Sequence, residues 1–295
     1  RDLEVARRLV RLTPVEEAEL RSVRAPIVLA PRRDGAPGVD AVAPGLGDLG
    51  VLLPTTPLHV ELFRGAPFDA LVMTSGNASD EPICRGNREA VERLGGIADR
   101  FLLHDRDVVR RVDDSVVRSA PDGVFAVRRA RGLVPEALPL PGRSPRPVLA
   151  MGGFLQNAAC LAVGSEAFCS QHVGDLDSEP ARTFLAEVVA GLEEFLQAPG
   201  EVVVVDAHPD YPSTWLGESL ARARGGTLLR VQHHVAHAAA VLGEHGRFPE
   251  PGRQALAIAL DGTGWGPDET AWGGEWLLVG GDLGWRRLAS LQPLP

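Results

Sequence analysis

A proline-rich segment near the middle of the chain limits the fold more than any other feature. Residues 136–147 (EALPLPGRSPRP) contain four prolines. Proline has a fixed φ and no backbone N–H, so this segment cannot form a helix or a central strand. We therefore predict a linker at residues 136–147, a first domain at residues 1–135 and a second domain at residues 148–295. A length of 295 residues is sufficient for two ordinary domains.

Helix and strand patterns alternate in the first domain, as in α/β proteins. Thr13 and Glu16 form a capping box, which predicts the start of a helix. The apolar run at residues 70–74 (ALVMT) predicts a buried strand, and Ser75-Gly76-Asn77 follows it. Small hydroxyl, glycine and amide groups at a strand end suit a turn that offers N–H and O–H groups to a ligand. An ordinary surface turn is an equal alternative.

Arginines are concentrated towards the end of the first domain. Residues 87–118 predict a helix, a strand and then a dense group of charged residues that includes Arg106. A further apolar strand leads into Arg128 and Arg131. Guanidinium groups suit bidentate binding of phosphate or carboxylate, although about half of such a charged run is expected to be a solvated face. All 30 basic residues are arginine, so a bound nucleotide must be held by backbone amides, arginines or a metal.

The second domain shows strands and helices in a βββαβαβ order, which predicts a mixed α/β fold. Its first two strands, within residues 148–163, are joined by a turn at Gly152-Gly153. Glycines in such a turn let backbone amides approach a phosphate. A second strand–turn–strand pattern has Gly262-Thr263-Gly264 in its turn. Two such hairpins are typical of the duplicated actin, Hsp70 and sugar-kinase (ASKHA) fold, which binds a nucleotide between its halves.

A candidate metal site lies between these turns in the sequence. His233 and His237 are four residues apart, so a helix would place both imidazoles on one face. Asp261 ends an apolar strand and can supply an oxygen ligand. This set suits Zn2+ or Fe2+. A metalloprotease would need Glu after the first histidine, and position 234 is His. The alternative is that these histidines are ordinary core or surface residues.

Charge and composition exclude some classes of function. The net charge of −9 argues against stable nucleic-acid binding, which depends on neutralising phosphates. The sequence has no run of 18 apolar residues, so we expect no membrane span, and no secretory leader is visible. The three cysteines are scattered, which favours reduced thiols in a cytoplasmic protein.

Several long motifs resemble one family, and they occur in that family's order. In the first domain they are LPTTPLH, MTSGNASDEPI, LLHDRDVVRRVDDSVVR and VRRARGLVP. In the second domain they are GGFLQN, SQHVGDL, DAHPDYPST, VQHHVAH and DGTGWGPDETAWGGE. Over nearly the whole chain these motifs are similar to the HypF family, the carbamoyltransferases of nickel–iron hydrogenase maturation. The resemblance implies most of a YrdC-like α/β domain, followed by the first part of a Kae1-like α/β domain of the actin/Hsp70 type.

The resemblance also implies a reaction and its participants. The YrdC-like domain would join carbamate, released from carbamoyl phosphate, to ATP with Mg2+, giving carbamoyl-adenylate and pyrophosphate. The Kae1-like domain, with Zn2+ or Fe2+ bound, would pass the carbamoyl group to the C-terminal cysteine of a HypE-type acceptor protein. The resulting thiocarboxamide is the source of the cyanide ligands of iron.

Individual residues receive roles from the same resemblance. Ser75 and Asn77 would hold nucleotide phosphate. Arg106, Arg128 and Arg131 would balance the charge of the acyl phosphate and pyrophosphate. The catalytic and metal-binding set would be His233, His237 and Asp261. The glycine turns at Gly152-Gly153 and Gly262-Thr263-Gly264 would border the adenylate phosphate.

The chain departs from the family pattern at some points. Gln156 replaces a lysine, Thr55 a tyrosine and Leu133 a tyrosine, and Gln156 puts one phosphate contact in doubt. The first part of the YrdC-like domain and most of the second half of the Kae1-like domain are not in the sequence. We therefore expect a fragment that cannot complete either reaction alone. The alternatives are a carbamoyltransferase acting on a small molecule or on tRNA adenosine, and a non-catalytic fragment that binds nucleotide or metal.

Overall fold

The structure is a computed structural model that describes residues 1–292 except Pro37, Asp80, Asp122 and Leu283. The chain divides into two compact units, Arg1–Pro135 and Glu136–Pro295. The last three residues of the predicted second domain lie outside the described residues. No helix in the described part of the chain combines the length and the apolarity needed to cross a membrane.

The first unit is built on a four-stranded mixed sheet. Its elements are α1 (Leu3–Leu9), α2 (Pro14–Leu20), β1 (Ile27–Pro31), α3 (Val39–Val42), β2 (Asp48–Val51), α4 (Pro57–Leu62), α5 (Asn87–Leu94), β3 (Val116–Ala120) and β4 (Gly123–Arg128). The strand order is β2-β1-β3-β4, with β1 and β3 parallel and both outer pairs antiparallel. Leu3 of α1 and Leu20 of α2 pack with Val28 and Val117 in the core of this unit. The predicted α/β character is confirmed.

The capping box predicted at the start of α2 is present. The Thr13 side chain accepts a hydrogen bond from the N–H of Glu16, and the Glu16 carboxylate accepts one from the N–H of Thr13 at 2.7 Å. Glu16 is 2% exposed, and its carboxylate also accepts a hydrogen bond from the Ser119 hydroxyl at 2.7 Å. The carboxylate therefore both caps α2 and ties the helix to β3.

Two strands predicted in the first unit are wrong for the described residues. The apolar run at residues 70–74 forms no strand, and Val72 is 69% exposed. The run after α5 also forms none, and Leu102 is 77% exposed. An apolar run becomes a strand only when a neighbouring strand pairs with its backbone groups. The four-stranded sheet ends at β2 and β4 and supplies no partner for either run.

The second unit contains a six-stranded sheet and a smaller three-stranded sheet. Its elements are β5 (Leu138–Pro139), β6 (Val148–Ala150), β7 (Cys160–Val163), β8 (Glu166–Cys169), α6 (Glu179–Leu196), β9 (Val202–Asp206), α7 (Pro212–Arg224), β10 (Thr227–Val231), α8 (His233–Glu244), β11 (Gln254–Ala259), β12 (Gly264–Trp265), β13 (Ala271–Trp272), β14 (Glu275–Gly280) and β15 (Trp285–Ser290). The order of the larger sheet is β10-β9-β6-β7-β8-β5. The predicted βββαβαβ order is confirmed in β6 to β10.

The larger sheet brings the ends of separate strands to one edge. Strands β6, β9 and β10 are parallel, and Val231 at the end of β10 pairs with Asp206 at the end of β9. Leu149 and Val203 of the sheet and Leu185 of α6 are buried together in the core. Because α8 begins just after β10, its first turn lies beside the carboxyl end of β9.

Part of the proline-rich segment predicted as a linker belongs to the second unit. Leu138 and Pro139 form β5, which pairs with β8 in antiparallel fashion. β5 is the edge strand of the sheet, where a proline removes no hydrogen bond that an inner strand needs. The prolines exclude a central strand but not this edge position.

The second glycine hairpin differs from the predicted one. β6 and β7 pair with each other around Gly152-Gly153, as expected. β11, by contrast, pairs with β14, while β12 pairs with β13. The turn between β12 and β13 is closed by the Gly266 N–H, which donates to the Thr270 carbonyl at 2.9 Å. β11 is an edge strand of the three-stranded sheet, and Leu256 and Ile258 on it are more than half exposed.

Candidate functional site

The candidate metal site begins at the N-terminus of α8. Gln232 caps this helix, since its Oε1 accepts a hydrogen bond from the N–H of Val235 at 3.0 Å. His233 and His237 then lie one turn apart, with ring centroids separated by 4.8 Å. Their Nε2 atoms are 3.2 Å apart. The helix therefore brings together the two imidazoles, as their four-residue spacing predicts.

Asp261 completes a group of three converging side chains. It lies shortly after β11, and its Oδ2 is 3.0 Å from His233 Nε2 and 3.4 Å from His237 Nε2. The three possible ligand atoms all lie within 4.8 Å of one another. Oδ2 is buried, yet it has no hydrogen-bond partner among the described residues. A buried carboxylate oxygen that faces two imidazole nitrogens without hydrogen-bond geometry to either is in the environment expected of a cation ligand.

Asp206 contacts the opposite nitrogen of the His233 ring. Its Oδ2 lies 2.7 Å from His233 Nδ1, and its side chain is only 6% exposed. This hydrogen bond raises the pKa of His233 above its ordinary value. Asp206 is not among the site residues predicted from the sequence, although its place in the sequence is informative. Asp206, like Asp261, is an acidic residue at the carboxyl end of an apolar strand pattern.

His234 and Gly264 pack together beside the three candidate ligands. His234 is fully buried, its Nδ1 lies 2.9 Å from Gln232 Nε2, and burial lowers its pKa. A Cβ atom on Gly264 would come within 2.7 Å of His234 Cε1 and 2.9 Å of His233 Cβ. Gly264 therefore lets the turn after Asp261 approach the first turn of α8 closely.

The Gly152-Gly153 turn lies against the same histidine. A Cβ atom on Gly153 would be 3.6 Å from His233 Cε1. Gly152 has a φ of +72°, and a Cβ there would meet the Ala158 carbonyl oxygen at 2.5 Å, so only glycine fits. The buried Asn157 amide donates to the Gly153 carbonyl at 2.7 Å and holds the turn in place. The structure thus brings this predicted glycine turn next to the histidine pair.

The remaining predicted residues of the second unit lie at the surface of the site. Gly262 and Thr263 are exposed, and the Gly262 N–H donates to Asp261 Oδ1 at 2.7 Å. Gln156, in the loop after the Gly152-Gly153 turn, has a φ of +49°. Its backbone N–H and its side-chain amide both donate to Asp175 Oδ1, at 2.7 and 3.2 Å. Its side-chain amide is therefore engaged with a neighbouring carboxylate.

In the first unit, the Ser75–Asn77 turn is held by hydrogen bonds within itself and to the stretch before α5. The Ser75 hydroxyl donates to Asn77 Oδ1. The Cys84 N–H donates to the Gly76 carbonyl at 2.9 Å, which joins the turn to the stretch before α5. Arg106 is exposed, and no ion pair joins it to another described residue. Its guanidinium is therefore accessible to an anion.

The other two predicted arginines have carboxylate partners. Arg128 forms an ion pair with Asp113 at 2.8 Å. Arg131 donates through both Nε and Nη2 to Asp114 Oδ1, at 2.9 and 2.7 Å, and also to the Ala25 carbonyl. Binding a phosphate would require these guanidinium groups to share or exchange a carboxylate. Their arrangement here stabilises the segment around β3 and β4.

The cluster at α8 fits the metal ions expected from its side chains. Two imidazole nitrogens and a carboxylate oxygen are common ligands of Zn2+ and Fe2+. The unpartnered Oδ2 of Asp261 supports this fit. The bond from His233 Nδ1 to the buried Asp206 carboxylate is the usual arrangement behind a histidine that binds metal through Nε2.

Family models match both halves of the chain. The HypF Kae1-like domain matches residues 143–244. The second subdomain of the carbamoyltransferase Kae1-like domain matches residues 257–295. A model of the Sua5, YciO and YrdC proteins, described as telomere recombination, matches residues 1–130. The YrdC-like and Kae1-like assignments made from the sequence motifs are thereby confirmed.

Comparisons with related proteins and with solved structures point to the same family. Carbamoyltransferase HypF2 of Cupriavidus necator is 48% identical over 95% of this chain, and Carbamoyltransferase HypF of Rhodobacter capsulatus is 45% identical over 98%. The crystal structure of a full-length HypF in the phosphate- and nucleotide-bound form is similar over 97% of the chain, with 40% identity and a TM-score of 0.86. That of T. kodakarensis HypF covers 98%, with 35% identity and a TM-score of 0.88.

The matched region is only part of each relative. The chain spans 36% of the Cupriavidus protein and 38% of the Rhodobacter protein. It spans 44% and 37% of the two crystallised chains. Both halves of the chain are nevertheless matched, since the two relatives align with 95% and 98% of it. The chain belongs to the HypF family of carbamoyltransferases.

Proposed function

We propose that this chain contributes residues to the two reaction sites of a carbamoyltransferase of nickel–iron hydrogenase maturation. Carbamoyl phosphate would first be hydrolysed elsewhere in the protein to carbamate and phosphate. The first unit, with the remainder of a YrdC-like domain, would then join the carbamate to ATP, giving carbamoyl-adenylate and pyrophosphate. The second unit would take part in transferring the carbamoyl group to the C-terminal cysteine of a HypE-type acceptor. The acceptor thiolate attacks the carbonyl carbon, and AMP leaves with the bonding electrons.

The observation that best supports this function is the convergence of His233, His237 and Asp261 beside two glycine turns. The two imidazoles and the carboxylate would hold Zn2+ or Fe2+. A metal bound there would supply a positive charge that polarises the oxygen of the carbamoyl-adenylate. The three side chains would fix the position of that charge, because two are carried by α8 and the third lies just beyond β11.

The glycine turns would bind the phosphate of the adenylate. Gly153 lies against His233, and Gly264 packs against the start of α8, so both turns flank the three ligands. Backbone amides in such turns can donate to phosphate oxygens without the steric bulk of a side chain. The Thr263 hydroxyl is exposed beside Asp261 and Gly262 and adds a further donor.

The first unit would bind ATP with Mg2+ through its exposed polar groups. Ser75 and Asn77 form one short turn, and Arg106 has an accessible guanidinium. Hydroxyl, amide and guanidinium groups are suitable donors for phosphate oxygens. Arg128 and Arg131 would contribute to the positive potential while remaining paired with Asp113 and Asp114.

A chimaera tests the proposal in a complete protein. Residues 1–292 would replace the matching segment of the Cupriavidus necator relative, which is 48% identical. The chimaera is expected to release pyrophosphate from ATP when carbamoyl phosphate is present, and to add a carbamoyl group to the acceptor's terminal cysteine. His237→Ala should stop the transfer and leave pyrophosphate release, whereas Arg106→Ala should slow pyrophosphate release.

Two results would contradict the proposal. Transfer to a small molecule or to tRNA, with none to the protein acceptor, would assign a different substrate. Normal transfer by the His237→Ala chimaera would remove the proposed role of the metal site.

A further inference from the structure

The two carboxylate oxygens of Asp206 have different partners. Oδ1 accepts a hydrogen bond from the backbone N–H of His208 at 2.8 Å. Oδ2 lies 2.7 Å from His233 Nδ1. The carboxylate is nearly fully buried, so both oxygens are committed within the protein. Its position is fixed because Asp206 ends β9 and pairs with Val231, two residues before His233.

The hydrogen bond determines where the proton of His233 resides. An ionised carboxylate is only an acceptor, so the shared proton belongs to Nδ1. In a neutral imidazole, a proton on Nδ1 leaves a lone pair on Nε2. Nε2 is the atom that faces His237 Nε2 at 3.2 Å and Asp261 Oδ2 at 3.0 Å. The lone pair is therefore directed into the candidate metal site.

We infer that Asp206 is a positioning residue that holds His233 in the tautomer able to bind metal through Nε2. Asp206 is not a ligand, since its oxygens face Nδ1 and a backbone amide. The inference rests on the metal site of the proposed function and adds a specific role for a residue outside the three ligands. Carboxylates that orient metal-bound histidines in this way contribute to metal affinity.

The surroundings of Asp206 make its asparagine variant unusually informative. In Asp206→Asn, the His208 N–H still requires an oxygen at the Oδ1 position. The amide must then turn its NH2 group towards His233 Nδ1, which becomes an acceptor. A neutral ring with Nδ1 as acceptor carries its proton on Nε2, and that proton blocks the metal position. Asp206→Ala leaves Nδ1 without a fixed partner and forces neither tautomer.

The two possible roles of Asp206 therefore predict opposite orders for the loss of metal binding in the asparagine and alanine variants. If Asp206 only supported the fold, the isosteric asparagine would be milder than alanine. If Asp206 sets the tautomer, asparagine would be more harmful to metal binding than alanine. Asp210→Asn, an exposed change in the same loop, is the matched control.

The experiment measures Co2+ affinity of the 295-residue chain by competition with a chelator, and the Co2+ absorption spectrum of each variant. Asp206→Ala should weaken binding about 10- to 100-fold, Asp206→Asn should weaken it further, and Asp210→Asn should not change it. Nitrogen NMR of the metal-free neutral ring should show the Nδ1–H tautomer in the parent chain and the Nε2–H tautomer in Asp206→Asn.

The results separate the inference from the proposed function. If the parent chain binds no Co2+, the metal site of the proposed function fails, and the inference fails with it. The parent chain could instead bind Co2+ while the affinity of Asp206→Asn for Co2+ equals or exceeds that of Asp206→Ala. In that case only the inference is overturned. An unchanged ring tautomer in Asp206→Asn would also overturn it.

Discussion

The fully buried carboxylate of Glu275 is held by Arg287, whose Nε and Nη2 donate to its two oxygens at 2.6 and 2.8 Å. Glu275 also accepts a hydrogen bond from the Gly273 N–H at 3.1 Å. The next residue, Gly274, donates its N–H to the Asp261 carbonyl at 3.1 Å. The Arg287–Glu275 pair therefore supports the backbone that carries a candidate metal ligand.

Replacement of Arg287 by methionine should be strongly destabilising. Removing one partner of a buried pair leaves an uncompensated charge, at a cost of about 3–5 kcal/mol, and the partial exposure of Arg287 favours the lower end. Chemical denaturation would measure this loss. Arg286→Met, an exposed change on the same strand, should alter the free energy of unfolding by less than about 0.5 kcal/mol. Equal effects of the two changes would show that the Glu275 pair is not important for stability.

Metal content should depend on both helix histidines. The purified chain is expected to hold one Zn2+ or Fe2+, and His233→Ala or His237→Ala should reduce this to a trace. Metal at about 100 times its Kd should add about 2.7 kcal/mol to the free energy of unfolding, which a chelator would remove. Elemental analysis and thermal unfolding provide the measurements. His245→Ala, an exposed change just after the same helix, should retain the metal. Retention of the metal by the His237→Ala variant would contradict the proposed metal site.

The stability of the metal-free chain should change with pH in two separate ranges. The pKa of His233 in the folded chain is raised above 6.5. The stability that this residue contributes is therefore present below pH 6.5 and is lost as the pH rises through the folded pKa. The folded pKa of His234 is lowered, so stability falls as pH drops from 6.5 towards that folded pKa. Urea unfolding in the presence of a chelator, repeated over a range of pH, should show that these two groups give a maximum in the free energy of unfolding near pH 6.5.

A His234→Gln variant tests the lower range. It should lose the decline in stability on the acid side of 6.5 and keep the decline on the alkaline side. A variant with the same acid dependence as the parent chain would assign that dependence to other groups.

Gly264 should tolerate a methyl group far less well than Gly262. A Cβ atom at Gly264 would lie 2.7 Å from His234 Cε1, whereas a Cβ at Gly262 meets nothing within 4 Å. Overpacking of this kind costs about 1–3 kcal/mol. Gly264→Ala should also displace the histidine pair and weaken metal binding. Denaturation and metal titration of both alanine variants provide the comparison, and equal values would contradict the packing described at α8.

Features with a local cause could be predicted from the sequence. The capping box at Thr13 and Glu16 is one example, because both partners lie within one helical turn. The helix that carries His233 and His237 is another, since the spacing alone places both rings on one side. The glycine requirement at Gly152 follows from a tight turn between two apolar strands.

Features that depend on distant partners could not be predicted in this way. Asp206 and His233 are 27 residues apart, and only the parallel pairing of β9 with β10 brings them together. The apolar run at residues 70–74 had the composition of a strand but no neighbouring strand in the described sheet. The sequence also did not distinguish Arg106, which is accessible, from Arg131, which is paired with Asp114.

The edge position of β11 has a consequence for the behaviour of the isolated chain in solution. Its outer side presents Leu256 and Ile258, with Leu260 just beyond, and each is more than half exposed. An apolar edge strand with unpaired backbone groups can align with the same strand of another molecule. Self-association should therefore increase steeply with protein concentration. The substitution Ile258→Lys should raise the concentration at which the chain begins to self-associate.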